Sequence, residues 1–300
     1  MTSEQWRAEF DIEIRFSNGG DLTAVGFRLD VDSARVTPEE IGAAFVRELG
    51  LLMVGSTRVS NIRMLAEPHK GRRSAAAAPV GRRIVELSHR IGDGTITYPG
   101  LPGPQVGSHL TREASEGHYA PGTSFEISRI TMVGNTGTYL DAPYHRFADG
   151  ADLADLPAEC FADLEGVLVR VTGQQARAVD RDAFLPYDVA GRAVLVHTGW
   201  DVHFGTERYG AGDHPYLTAD AVAYLVEAGA TLVGIDSVNV DDTADGARPA
   251  HTGLLAARIP IVEHLTGLDQ LPVTGFRFHA APPRIERLAT SIVRAYAVTG

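Results

Sequence analysis

Three short apolar runs constrain the fold of this chain more than any other feature. They are Val167-Leu168-Val169-Arg170-Val171, Ala193-Val194-Leu195-Val196-His197 and Thr231-Leu232-Val233-Gly234-Ile235-Asp236. Segments this short and this rich in β-branched residues predict buried strands rather than helices. Between the second and third, Ala219–Ala228 carries helical spacing and is stopped by Gly229. Ile259–Val262 and Phe276–Phe278 add shorter strands, and Ser291–Val298 reads as one more that closes the chain. Many short strands with few long helices give an α/β or α+β architecture, not a regularly alternating doubly wound sheet.

The N-terminal part reads differently. Phe10, Ile12, Ile14 and Phe16 alternate with Asp11, Glu13 and Arg15, the period of a half-buried strand. Ser17-Asn18-Gly19-Gly20-Asp21 turns the chain into a second strand marked by Val25, Phe27, Leu29 and Val31. Thr37-Pro38-Glu39-Glu40 then has the order of a helix start: a capping threonine, proline at the first position and glutamate at the third. A third strand is expected between Arg58 and Leu65. Residues 1–67 therefore predict a small β-β-α-β unit, to which no chemistry attaches. Pro68–Pro79, with Lys70, Arg72, Arg73 and four alanines, reads as a solvated linker, so 68–80 separates that unit from a larger region, 81–300. The larger region opens on a short strand, Ile84–His89, and a Pro/Gly-rich loop through Tyr98-Pro99-Gly100.

Charge and motif content narrow the function. A net charge of −11 argues against nucleic acid or an anionic membrane as partner. Cys160 is the sole cysteine, which excludes an intrachain disulfide and fits a reducing compartment. With no leader-like N-terminus and no apolar run approaching about 18 residues, a cytoplasmic protein is expected. The chain has no G-x-S-x-G elbow, Walker A sequence, G-x-G-x-x-G after a strand, H-E-x-x-H or C-x-x-C. Nucleotide, dinucleotide and serine-hydrolase chemistries thus lack their usual signals.

What remains is a set of carboxylates and imidazoles. Asn135-Thr136-Gly137-Thr138-Tyr139-Leu140-Asp141-Ala142-Pro143-Tyr144-His145 follows a strand-like segment, Phe125–Val133, and Pro143 stiffens the step between Asp141 and His145. Further on, His251 precedes an apolar turn, and Glu263 ends a strongly apolar strand twelve residues later. A carboxylate there is costly unless it is paired or bound to a metal.

These residues resemble the cyclase family, which contains bacterial kynurenine formamidase, isatin hydrolase and some polyketide cyclases. The family motif H-x-G-T-H-x-D-x-P-x-H aligns with Asn135–His145 without a gap. Its upstream Ser-His ahead of a Tyr/Trp-Pro-Gly loop is matched by Ser88-His89 and Tyr98-Pro99-Gly100, its Gly-Ile-Asp by Gly234-Ile235-Asp236, and its spaced His and Glu by His251 and Glu263. The resemblance runs from about Ile84 to Val298 and leaves the N-terminal unit outside. It implies a swivelling β/β/α domain within the α/β class.

Two departures stand out: Asn135 and Tyr139 replace histidines of the motif. In relatives with two metals those histidines bind one ion, and the aspartate bridges to a second. Carried over by position, Asp141, His251 and Glu263 hold one divalent ion, zinc or manganese, with His145 as the acid–base group. Three protein ligands with an open position suit a catalytic ion that lowers the pKa of water to about 7. Asn135 then either lends a weak oxygen ligand or orients substrate. Tyr139 either donates to a developing oxyanion or fills space. Tyr98, Trp200 and Phe204 are candidates for a substrate wall, with plain core packing as the other reading of each. His197, His203, His214, His264 and His279 read as structural histidines. Ser88 and His89 do not form a nucleophilic pair, because neighbours on a strand face opposite ways.

The resemblance implies a metal-dependent hydrolase of a small amide, formamide or lactone, arylformamidase-like at its most specific. Two other readings stay open: a polyketide-type cyclase or lyase using the same site, and a binding or interaction protein without turnover. A small-molecule substrate and a homo-oligomer, dimer or tetramer, are the expected partners.

Overall fold

The alternation of apolar and polar residues in strand β1 (Trp6–Phe16) buries Ala8, Phe10, Ile12 and Ile14 on one face. In the computed structural model, which describes residues 6–66, 82–173 and 176–300, two further strands flank it. These are β2 (Asp21–Val31) and β3 (Val54–Ala66), both antiparallel to β1 in the order β2-β1-β3. Helix α1 (Pro38–Glu48) starts at a complete capping box, in which Thr37 and Glu40 satisfy each other's backbone N–H. It buries Ile41 and Phe45, the latter edge-on to Phe10 at 5.9 Å. The order β-β-α-β is the one the alternation and the capping signal predict. Leu185 of the larger region enters this core, and Asn18 Nδ2 donates to the Tyr224 hydroxyl at 2.7 Å. The expected linker, 68–80, lies outside the described residues.

The larger region begins with β4 (Arg83–Glu86) and a two-stranded antiparallel ribbon of β5 (Gln105–Leu110) and β6 (Ile127–Thr131). A short helix, α2 (Arg112–Ser115), lies between the ribbon strands. There follow β7 (Tyr139–Asp141), β8 (Leu164–Arg170), β9 (Ala178–Val179), β10 (Ala193–His197) and β11 (Tyr216–Leu217). Next come α3 (Ala219–Glu227), β12 (Leu232–Ile235), α4 (Pro249–Ala256) and β13 (Ile261–Glu263). The chain ends with β14 (Phe276–His279), β15 (Thr290–Ile292) and β16 (Tyr296–Thr299).

Nine of these strands form one mixed sheet, in the order β15-β7-β13-β12-β10-β8-β14-β16-β4. The central four, β8, β10, β12 and β13, run parallel; the flanking pairs are antiparallel. The apolar runs are continuous because these parallel strands are buried on both faces. Val167, Val169, Val194 and Val196 pack with Ala221, Leu225 and Leu254 of α3 and α4, whereas Leu168, Leu195 and Leu232 pack with Phe276 and Phe278. Among the described residues no helix is long and apolar enough to cross a membrane.

Two local expectations are corrected. Ser291–Val298 is not one strand: β15 lies at one end of the sheet and β16 near the other. Its apolar character comes from burial along the crossing, where Val293 N donates to Thr138 O and Ala295 N donates to Ser88 Oγ. The segment around His251 is helix α4 rather than a turn, with Pro249 at its first position despite Gly253 in its middle.

Candidate metal centre

Strand β7 lies between β13 and β15, and that placement assembles the centre. Residues opposite each other in an antiparallel ladder share a face, as do residues two apart along a strand. Tyr139 lies opposite Glu263, and Asp141 lies opposite Thr290. All four side chains therefore occupy one face of the sheet, and all four are buried. Ala142 is extended, as a residue before proline prefers, and Pro143 opens a single 3₁₀ turn, Pro143–His145. This turn brings His145 Nδ1 to 3.8 Å from Asp141 Oδ1 and 3.0 Å from Thr290 Oγ1. Thr290 donates its hydroxyl hydrogen to Asp141 Oδ1 at 2.5 Å, so its oxygen accepts from His145 Nδ1–H. With Nδ1 engaged there, Nε2 is the nitrogen left to the cavity.

Helix α4 supplies His251 from the other side. Its Nε2 lies 3.7 Å from Asp141 Oδ2 and 3.9 Å from Glu263 Oε1. Its Nδ1 lies 2.7 Å from Asp241 Oδ2, and Asp241 also accepts the backbone N–H groups of Ala250 and His251. A carboxylate behind a histidine fixes the ring, here turning Nε2 toward Asp141 and Glu263.

The residues fit a divalent cation. Asp141 Oδ2 is buried and has no hydrogen-bond partner among the described residues. An unpaired buried carboxylate oxygen is costly, and a cation satisfies it. Ligand atoms of Asp141, His145 and His251 lie within 4.8 Å of one another. Imidazole and carboxylate donors suit zinc and similar ions. Glu263 faces His251 with Oε1, which also accepts Val240 N–H at 2.6 Å.

Behind Glu263 runs a directed line of hydrogen bonds. Tyr139 donates to Glu263 Oε2 at 2.6 Å; the Tyr139 oxygen accepts from His264 Nε2 at 3.2 Å; His264 Nδ1 accepts from the Tyr209 hydroxyl at 2.8 Å. This order requires a neutral His264, and burial pushes its pKa down to about 3. Burial likewise raises the Tyr139 phenol well above its ordinary value, with the neighbouring Glu263 carboxylate adding to the rise. For His251, burial disfavours the charge, but the Asp141 and Asp241 carboxylates outweigh it and hold the imidazole up at about 10. Burial pushes Glu263 upward. It pushes Asp141 the same way, but there the His251 and His145 imidazoles prevail and the carboxyl sits low.

A cavity of about 320 Å³ opens above these groups, within the range of small-molecule sites. Tyr139, His145, His251 and Glu263 line it with Tyr98, Leu101, Asn135, Arg146, Asn239 and Arg248. Of the candidates, Trp200 and Phe204 stand apart from this cavity. Trp200 is not among the lining residues: it packs with Tyr209 and Val238, and its Nε1 donates to Tyr209 O at 3.0 Å. Tyr98 and Phe204 lean on that cluster, and Phe204 stacks on His89 with ring centroids 3.7 Å apart. Sequence reasoning missed Asp241, Thr290, Asn239, Arg146 and Arg248. Asp241 had one weak signal, an acid directly after the apolar Val240. Thr290 had none, because its role depends on strand pairing.

The family model described as "Putative cyclase" matches residues 85–242. Kynurenine formamidase from Erythrobacter litoralis is 28% identical over 204 residues, covering 68% of this chain and 88% of that protein. Kynurenine formamidase from Geobacillus thermodenitrificans is 28% identical over 214 residues, covering 70% of this chain and 95% of that protein. Among solved structures, isatin hydrolase A from Ralstonia solanacearum is similar in fold, with a TM-score of 0.63 at 23% identity over 73% of this chain and 92% of that one.

Proposed function

The chain belongs to the cyclase family, and from that premise we propose that it is a metal-dependent hydrolase of a small amide, formamide or lactone, with an aryl formamide as the most specific substrate. The observation that carries the reading is the buried, unpartnered Asp141 Oδ2 facing His251 Nε2, whose other nitrogen is tied to Asp241. The names of the curated relatives, two kynurenine formamidases, support the same chemistry.

In this reading Asp141, His251 and Glu263 hold one divalent ion, zinc or manganese. Such an ion supplies polarisation of an acyl oxygen and acidification of water. His145, anchored through Nδ1 to Thr290, presents Nε2 to the cavity and takes the proton of the attacking water. It then returns that proton to the leaving nitrogen or oxygen. Tyr139 holds Glu263 in place, and Asn135 orients the substrate carbonyl. Tyr98 forms one wall of the cavity, backed by the Trp200 cluster. In the cytoplasm, where we place the protein, such chemistry needs no disulfide support.

Metal content per chain, measured on protein purified without chelator, tests this together with hydrolysis of an aryl formamide. About one equivalent, lost in Asp141→Ala along with turnover, is the expected result. No bound metal after incubation with zinc or manganese overturns it.

A further inference from the structure

The cavity carries groups of opposite charge. Glu263, which lines it, and Asp141 beside it are fully buried, whereas the lining arginines Arg146 and Arg248 are not. Neither arginine has a carboxylate within ion-pair distance among the described residues. The acids just before Arg248 are engaged elsewhere: Asp245 accepts Ala247 N–H at 2.9 Å, Asp242 pairs with Arg177 at 3.2 Å and Asp241 with His251 at 2.7 Å. Arg248 Nη1 reaches only neutral oxygens, Asn239 Oδ1 at 3.3 Å and Asp242 O at 3.5 Å. Arg146 Nε donates to Thr252 Oγ1 at 3.3 Å, and its guanidinium lies 5.2 Å from the centroid of the Phe147 ring.

Two uncompensated guanidinium groups around one cavity are unusual in a chain of net charge −11. Arg248 is moreover held with φ at +49°, a conformation that favours glycine and is costly for a long side chain. It immediately precedes Pro249, the first residue of α4, so the same turn that starts the helix sets the guanidinium at the cavity wall.

From this arrangement we propose that Arg248, assisted by Arg146, forms an anion subsite that selects substrates bearing a carboxylate remote from the bond to be cleaved. A planar guanidinium matches a carboxylate with two parallel hydrogen bonds, which a neutral ring substituent cannot make. With the carboxylate held at Arg248, the opposite end of the substrate is left to reach Glu263 and His251. The proposal takes the cavity as the substrate site, as the hydrolase reading does.

The test is calorimetric binding of 4-aminobenzoate and its two ring isomers, with aniline as the uncharged control, to zinc-loaded protein and to metal-free protein. Wild-type protein should prefer at least one aminobenzoate over aniline by roughly tenfold or more, and rising salt should weaken the preference. Arg248→Gln should bring the ratio close to one without moving the thermal midpoint, and Arg248→Lys should keep part of it. Should Arg248→Gln fail to fold, the Lys variant and the salt dependence carry the test. An equal affinity for aminobenzoates and aniline, or a preference unchanged by substitution at Arg248, overturns the proposal. So does a preference that disappears with the metal and ignores Arg248, since the carboxylate would then sit on the ion. Turnover of an aryl formamide is measured on the same wild-type sample. An Arg248-dependent preference without turnover would remove the hydrolase reading and leave the anion subsite standing.

Discussion

Asp241 accepts a hydrogen bond from His251 Nδ1 at 2.7 Å while also capping the first turn of the helix that carries His251. One carboxylate therefore sets both where the imidazole stands and which nitrogen it offers. Burial works to raise Asp241, and His251 with the two backbone N–H groups holds it low, so it stays ionised in this role.

Asp241→Asn keeps the shape and the acceptor oxygen but removes the charge. Metal affinity should fall about 10- to 100-fold, the usual cost of losing a partner behind a ligand. Competition with a chelator of known affinity reads this directly. An unchanged affinity would mean that His251 is not a ligand.

Tyr139→Phe removes one hydroxyl and leaves two buried groups without their partner, Glu263 Oε2 and His264 Nε2. Each such loss costs about 1–3 kcal/mol, so the denaturant midpoint should shift clearly downward. A fall in kcat with stability and metal content unchanged would instead point to a donor that acts on substrate.

Metal should stabilise the fold by mass action. At a zinc concentration about 100 times Kd the gain is about 2.7 kcal/mol, visible as a rise in Tm that grows with added metal. Asp141→Ala should show no such rise. A zinc-dependent shift that survives in this variant would place the binding elsewhere.

His89 gives a pH signature. Burial holds its imidazole down at about 4 against an ordinary value of 6.5, and its Nε2 is buried without a partner among the described residues. Between those two values the unfolded chain binds a proton that the folded chain does not, so stability rises with pH across this window. The contribution is complete above 6.5 and is lost as pH falls toward 4. His89→Phe, which can retain the stack on Phe204, should lose less stability on acidification over that range. The slope should shrink rather than vanish, because burial also lowers His197, His214 and His264. An unchanged slope in chemical denaturation at several pH values would contradict this.

Much of the chain was legible without coordinates. Alternation in Phe10–Phe16 and the Thr37–Glu40 capping pattern are local, and local rules decide them. The apolar runs of β8, β10 and β12 announce strands buried on both faces, and the resemblance to the cyclase family singled out Asp141, His145, His251 and Glu263 as a group. Tertiary structure alone decided how those groups meet. Glu263 and Thr290 face Tyr139 and Asp141 only because β7 inserts between β13 and β15, pairings that join residues 124 and 149 positions apart. The same holds for the Tyr209–His264–Tyr139 line and for the separation of Trp200 from the cavity. Periodicity reports how a segment is buried, but not which strand lies beside it. That choice is made by the packing of the whole sheet, and it is where the chemistry of this protein is set.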